Sequence, residues 1–238
     1  ATEWAQPAIG ATSLSLLALM KELGVKPELV AGHSFGEITA LHAAGVLSEA
    51  DMLAVARRRG ELMAAAAELP GAMTAVSADI EVVTALITAL NCDDVVIANH
   101  NAPTQVVLSG TVAGVEAVEA RMSADGVHFT RLQVATAFHS PVVAASVKPF
   151  GAFLADVRFN KANLPVWSGE SAAPYETKAA TQRARLARQI VNPVRFVDLI
   201  SGMAEAGIHT FVEVGPGAVL TGLVDRTLKG REHLAIAL

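Results

Sequence analysis

Leu29-Val30-Ala31-Gly32-His33-Ser34-Phe35-Gly36-Glu37 decides how the rest of the chain is read. An apolar strand runs into a Gly-x-Ser-x-Gly turn, and a helical stretch from Glu37 to Gly45 follows. A serine at so sharp a strand-to-helix turn takes up a strained backbone and needs small neighbours. Gly32 and Gly36 are expected to supply that room. The turn then holds the Ser34 hydroxyl above a helix N-terminus, where free N–H groups stabilise a developing oxyanion.

Working outward, Pro7 to Leu23 reads as an amphipathic helix, with Gly24 at its end. Together with the strand and the helix after Ser34, it gives the α–β–α order of a parallel α/β layer. Ser48 caps a long helix from Glu49 to about Ala67, with Glu49 and Asp51 placed for the dipole. That helix carries Arg57, Arg58 and Arg59, whose directions differ by about 100° each. Either all three are solvated, or one faces inward and requires an anion.

Composition shifts after Pro70-Gly71. Strands are predicted at Ala72–Ala78, Val95–Ala98, Gln105–Ser109 and His128–Leu132, with helices at Ile80–Leu90 and Val112–Ala124. This β-α-β-β-α-β order is that of a ferredoxin-like unit. It predicts an insert over 71–134 within a core formed by 1–70 and 135–238, with a cleft between them. The core resumes with a helix from Pro141 to Leu154, a strand at Pro165–Ser168 and a helix at Ala179–Gln189. A helix opened by Asn192-Pro193, a strand at Thr210–Val214 and a last helix at Val219–Leu228 complete it.

The 238 residues are 52% hydrophobic and 17% charged, so a large core is available and a folded chain is expected. A net charge of −5 leaves no basic face for nucleic acid. The lone Cys92 excludes an internal disulfide and a cysteine-based metal cluster, and fits a reducing, cytoplasmic setting. Ala1 to Gly10 has no basic leader region, and apolar stretches are too short for a membrane span.

Ser34 needs a base. Among seven histidines, His33 reads as a packing or hydrogen-bonding residue of the turn and His42 as a helix-face residue. His100, His209 and His233 lie near element ends, and His128 opens a strand. His139 stands apart, in the irregular Thr136-Ala137-Phe138-His139-Ser140-Pro141 where the insert rejoins the core. No acid is placed to orient it. In an ordinary α/β-hydrolase the histidine follows an acid and lies near the C-terminus, so the mid-chain position argues against that class.

Eight ordered motifs resemble the malonyl-CoA–acyl carrier protein transacylases and the acyltransferase domains of fatty acid and polyketide synthases. They are Thr2-Glu3-Trp4-Ala5-Gln6-Pro7-Ala8, Gly32-His33-Ser34-Phe35-Gly36-Glu37, Arg59-Gly60-x-x-Met63, Gly71-Ala72-Met73, Asn101-Ala102-Pro103, Phe138-His139-Ser140, Gln189-x-x-Asn192-Pro193-Val194 and Glu213-Val214-Gly215-Pro216-Gly217. The resemblance implies an α/β-hydrolase-like parallel-sheet core with an inserted ferredoxin-like subdomain. It also implies that a malonyl group passes from coenzyme A to Ser34, then to the phosphopantetheine thiol of an acyl carrier protein. No metal or resident cofactor is implied, and the partners are malonyl-CoA, the carrier and other domains of a multidomain synthase.

By the same resemblance, Ser34 is the nucleophile and His139 the base and then the acid. Gln189 orients His139 through its backbone carbonyl, Arg59 pairs with the malonyl carboxylate, and Asn101 lines the cleft. Phe138 resembles malonyl-preferring domains, since a phenyl ring crowds a methyl branch. Phe35 resembles enediyne and polyunsaturated fatty acid iterative synthases. The family's oxyanion hole combines the N–H after the serine, here that of Phe35, with one from an upstream glutamine-glycine loop. The chain starts downstream of where that loop would lie, so by this resemblance it is expected to be N-terminally incomplete. Loss of such a donor costs roughly 2.7–4 kcal/mol. The competing readings are a serine hydrolase, either a thioesterase or a patatin-like lipase using Asp125, and a non-catalytic carrier-docking domain.

Overall fold

The computed structural model describes residues 2–66, 70–134 and 136–238. The expected last residue of the long helix, Ala67, and the first residue of the returning core, Ala135, lie outside the described residues. The chain is α/β, and its elements alternate much as the residue pattern predicts.

Helix α1 (Thr2–Glu22) begins five residues before Pro7. A proline this early forfeits only one internal bond, the one toward the Glu3 carbonyl. The earlier start puts Gln6 on the helix, buried against α3 (Glu49–Ala66). Between these two helices come strand β1 (Val30–Ala31) and helix α2 (Gly36–Ala43). Ile38 and Leu41 of α2, Met52 and Val55 of α3, and Phe150 and Leu186 further on form one continuous core.

The segment that follows contains β2 (Ala72–Val76), α4 (Ile80–Leu90), β3 (Val95–Ala102), β4 (Gln105–Gly110), α5 (Val112–Ala124) and β5 (Phe129–Arg131). Its strands lie in the order β5-β2-β4-β3, antiparallel throughout, which is the ferredoxin-like arrangement. Val83, Val115, Val118 and Met122 cover it with an apolar layer of their own. β3 runs four residues past the predicted Ala98. Register shifts at Ile97/Asn99 and His100/Ala102 carry it through Asn-His-Asn, a polar run without the alternation that marks a strand. The entry to this segment touches its exit, since a Cβ on Gly71 would stand 2.7 Å from the Ala137 Cβ and N.

The predicted helix from Pro141 is a 3-10 turn (Pro141–Ser146) followed by α6 (Val147–Asp156). Then come β6 (Val166–Ser168), β7 (Ala173–Pro174) and α7 (Ala179–Arg188). The helix expected directly from Asn192-Pro193 is preceded by a short strand. β8 (Val194–Arg195) pairs in parallel with Asn99 and His100 of β3, and α8 (Phe196–Glu205) starts after it. The insert sheet therefore gains a fifth strand from the core, which locks the two together. β9 (Thr210–Glu213), α9 (Val219–Thr227) and β10 (Leu234–Ala237) end the chain. β10 was not expected from the residues and pairs in parallel with β9, as β1 does with β6. β7 turns back antiparallel on β6.

Candidate active site

Ser34 sits at the turn between β1 and α2 with φ of +50°, the left-handed conformation that an L-residue adopts only under constraint. The turn closes through Gly36 N–H to the His33 carbonyl (2.9 Å) and Glu37 N–H to the Ser34 carbonyl (3.2 Å). A Cβ on Gly32 would fall 1.9 Å from the Gly36 carbonyl carbon, so only glycine fits there. A Cβ on Gly36 would meet nothing within 4 Å. The expectation that both glycines make room is thus corrected: Gly32 alone does. With the next two N–H groups engaged, the Phe35 N–H is the donor left at the head of α2 for an oxyanion.

His139 reaches this serine across 105 residues, with Nε2 2.8 Å from Ser34 Oγ. Its own φ is +55°, and its N–H donates to the Ile190 carbonyl (3.0 Å), which aims the ring. Nδ1 lies 3.0 Å from the Gln189 carbonyl and 2.9 Å from that of Asn192. Carbonyls only accept, so Nδ1 carries the proton and Nε2 is free to accept the one on Ser34. Two backbone carbonyls do the work that a carboxylate does in an ordinary triad. Burial and the nearby Arg59 charge push the His139 pKa down to about 3, and the two carbonyls oppose them only weakly. The imidazole is neutral at physiological pH, as a base must be.

The three arginines part as helical geometry requires. Arg57 and Arg58 pair with Glu61 on the exposed face of α3. Arg59 is 1% exposed. Its Nη2 donates to Ser34 Oγ (3.1 Å) and Gln189 Oε1 (3.1 Å), and its Nη1 to Gln6 Oε1 (2.9 Å). All three acceptors are uncharged, and the buried Nε has no hydrogen-bond partner among the described residues. Burial lowers the Arg59 pKa to about 10, partly offset by Glu37, so the group keeps its charge.

The Gln6 amide, to which the residue pattern assigns no role, holds one arm of Arg59. The residue pattern starts the helix at Pro7, one residue after Gln6, and so gives no sign that Gln6 faces Arg59. Gln189 contributes more than the expected carbonyl, because its side chain accepts from Arg59 and donates to the Ser34 carbonyl. The Asn192 carbonyl is a second, unforeseen orienter. Asn101 arrives indirectly: its Oδ1 lies 2.7 Å from His33 Nε2, and the His33 ring meets Phe196 edge-on at 5.4 Å. Phe35 and Phe138 both pack, partly buried, against the main core. Ser109 of β4 donates to the Phe138 carbonyl (2.6 Å), tying the histidine loop to the insert. Asp125 closes α5 and pairs with Arg121 at 2.7 Å, where it is spent as a surface ion pair.

Comparison with known proteins agrees with this geometry. Residues 1–237 match the family model described as acyl transferase domain. The chain is 42% identical over 229 residues to a polyketide synthase of Streptomyces halstedii, covering 95% of this chain and 3% of that protein. It is 36% identical over 238 residues to the malonyl CoA-acyl carrier protein transacylase of Bacillus subtilis, covering 98% of this chain and 75% of that one. The crystal structure of a malonyl-CoA:acyl carrier protein transacylase from Xanthomonas oryzae superposes with a TM-score of 0.94 at 35% identity, over 100% of this chain and 76% of that one. The chain belongs to the acyl transferase domain family, with its α/β-hydrolase-like core and small subdomain.

Proposed function

We propose that this chain moves a malonyl group from coenzyme A to Ser34 and then to the phosphopantetheine thiol of an acyl carrier protein. The observation that carries this reading is Arg59, a buried cation with uncharged acceptors and an unpartnered Nε, in contact with the nucleophile itself. A carboxylate is the ligand that compensates such a charge, and a planar guanidinium binds it through two parallel hydrogen bonds. An acyl group ending in carboxylate is therefore favoured over acetyl, whose methyl leaves the guanidinium without a hydrogen-bonded anion.

In the first half-reaction Ser34 Oγ attacks the thioester carbonyl as His139 Nε2 takes its proton. The carbonyl oxygen becomes an oxyanion facing the Phe35 N–H. The carbon–sulfur bond breaks, and the imidazolium returns the proton to the coenzyme A sulfur. The second half runs in reverse with the carrier thiol, leaving Ser34 free. No metal or resident cofactor enters this route. Phe138 restricts the α-carbon and favours malonyl over methylmalonyl, and we place the reaction in the cytoplasm among the domains of a synthase. No helix among the described residues is long and apolar enough to cross a membrane.

The test is to incubate the protein with malonyl-CoA, then with holo acyl carrier protein, following intact mass and free malonate. A malonyl adduct on Ser34 that passes to the carrier supports the reading. Release of malonate without transfer overturns it in favour of a hydrolase.

A further inference from the structure

Among the described residues Glu37 is the one carboxylate buried completely beneath the active site, and the proposed reaction gives it no step. It lies in the first turn of α2, three residues after Ser34. Its Oε1 accepts from the Gly169 N–H at 2.8 Å, and its Oε2 accepts from the Tyr175 hydroxyl. Gly169 is itself buried, and a Cβ there would stand 3.2 Å from Glu37 Oε1 and 3.4 Å from Val194 Cγ1. On its other side, the Gly169 carbonyl accepts from the Arg195 N–H at 2.8 Å. Arg195 is three residues past Asn192, whose carbonyl orients His139. The next residue along the loop, Glu170, pairs with Arg188 at 2.7 Å, directly before Gln189, whose carbonyl is the other orienter.

The loop from Ser168 to Tyr175 thus grips both halves of the Ser34–His139 pair, and Glu37 is its only side-chain hold on the nucleophile's helix among the described hydrogen bonds. We propose that Glu37 is a positioning residue, setting the distance between Ser34 and the His139-orienting carbonyls through the Gly169 peptide. This inference rests on Ser34 acting as nucleophile. All donors to Glu37 point at its two oxygens, so a side chain of the same shape with one remaining acceptor still holds Gly169, while a truncated one does not.

A fluorophosphonate probe reads the reactivity of Ser34 without any acyl substrate. Because a displacement near 1 Å costs on the order of 100-fold in reactivity, Glu37→Ala is expected to lower the phosphonylation rate constant at least ~10-fold, with the probe's saturation constant unchanged. Glu37→Gln is expected to recover most of that loss. A folded Glu37→Ala labelled at the wild-type rate overturns the proposal, as does a Glu37→Gln no faster than Glu37→Ala. Should Glu37→Ala fail to fold, Gly169→Ala is the second variant. Its Cβ presses on the same contact, so wild-type labelling of that variant also overturns the proposal. Wild-type protein that is not labelled removes Ser34 as nucleophile, and this inference with it.

Discussion

Arg59 Nη2 and Ser34 Oγ are 3.1 Å apart, so the proposed anchor for the far end of the acyl group touches the proposed nucleophile. The same hydroxyl is 2.8 Å from His139 Nε2. Two side chains converge on one oxygen. A carboxylate arriving at Arg59 competes with Ser34, Gln6 and Gln189 for its N–H groups, so cargo binding and nucleophile placement are linked.

Arg59→Ala is expected to lower kcat/KM for malonyl-CoA by about 100- to 1,000-fold. The arithmetic takes two hydrogen bonds to a charged group at about 1.5–3 kcal/mol each, discounted for solvent entering the space. Acetyl-CoA, which offers no carboxylate, is expected to lose far less. Parallel acylation kinetics with the two thioesters decide it, and an undiminished malonyl preference in the variant rules out the carboxylate role.

His139 gives stability a defined pH dependence. Its folded pKa, about 3, lies below the ordinary value of 6.5. Above pH 6.5 both folded and unfolded chains hold it neutral. As pH falls from 6.5 toward 3, the unfolded chain takes the proton and the folded one does not, so stability is lost at up to about 1.4 kcal/mol per pH unit. His33, also lowered by burial, adds the same sign, while Glu37, raised by burial, contributes the opposite sign above pH 4.5. The difference between wild type and His139→Ala isolates the His139 contribution. Thermal midpoints of the two proteins should converge as pH drops from 7.5 to 4.5.

The elbow glycines make a contrasting pair. Gly32→Ala drives a Cβ to 1.9 Å from a backbone carbon that cannot move without breaking the turn. The expected cost exceeds the roughly 1–3 kcal/mol of ordinary overpacking. Gly36→Ala meets nothing and lies at the first position of a helix, where alanine is the better former. Its thermal midpoint should equal or exceed that of wild type, and an equal fall for both variants contradicts this reading of the turn.

What was legible in the residues follows from what side chains advertise. Ser34, His139 and the helix of Arg59 stand in motifs whose residue types carry the chemistry, and apolar periodicity marked most helices. The ferredoxin-like segment was readable because β2, β4 and the first half of β3 are locally apolar and two clear helices separate them. β8 and β10 were not, being a two-residue strand and a strand of Leu-Ala-Ile-Ala next to a charged loop, both formed by long-range pairing. The Asn192 carbonyl was invisible in principle, since every residue has one. Gln6 was hidden by distance: its partner lies 53 residues away, and an amide in a helix gives no sign of which way it faces.

Gln189 offers the last test, because its two contributions are separable. Its carbonyl to His139 is backbone and survives substitution, whereas its side chain spans Arg59 and the Ser34 carbonyl. Gln189→Ala therefore strips one acceptor from Arg59 and leaves the histidine oriented. A buried donor without its partner costs about 1–3 kcal/mol. The loosened guanidinium should raise KM for malonyl-CoA and reduce discrimination against acetyl-CoA. The pH profile of acylation, which reports on His139, should keep its wild-type form. Steady-state kinetics across pH 5 to 9 separate the two effects. With the His139 pKa at about 3, the wild-type profile holds no His139 limb in that window, so an acid limb entering it with unchanged KM would show that the side chain serves His139 instead of Arg59.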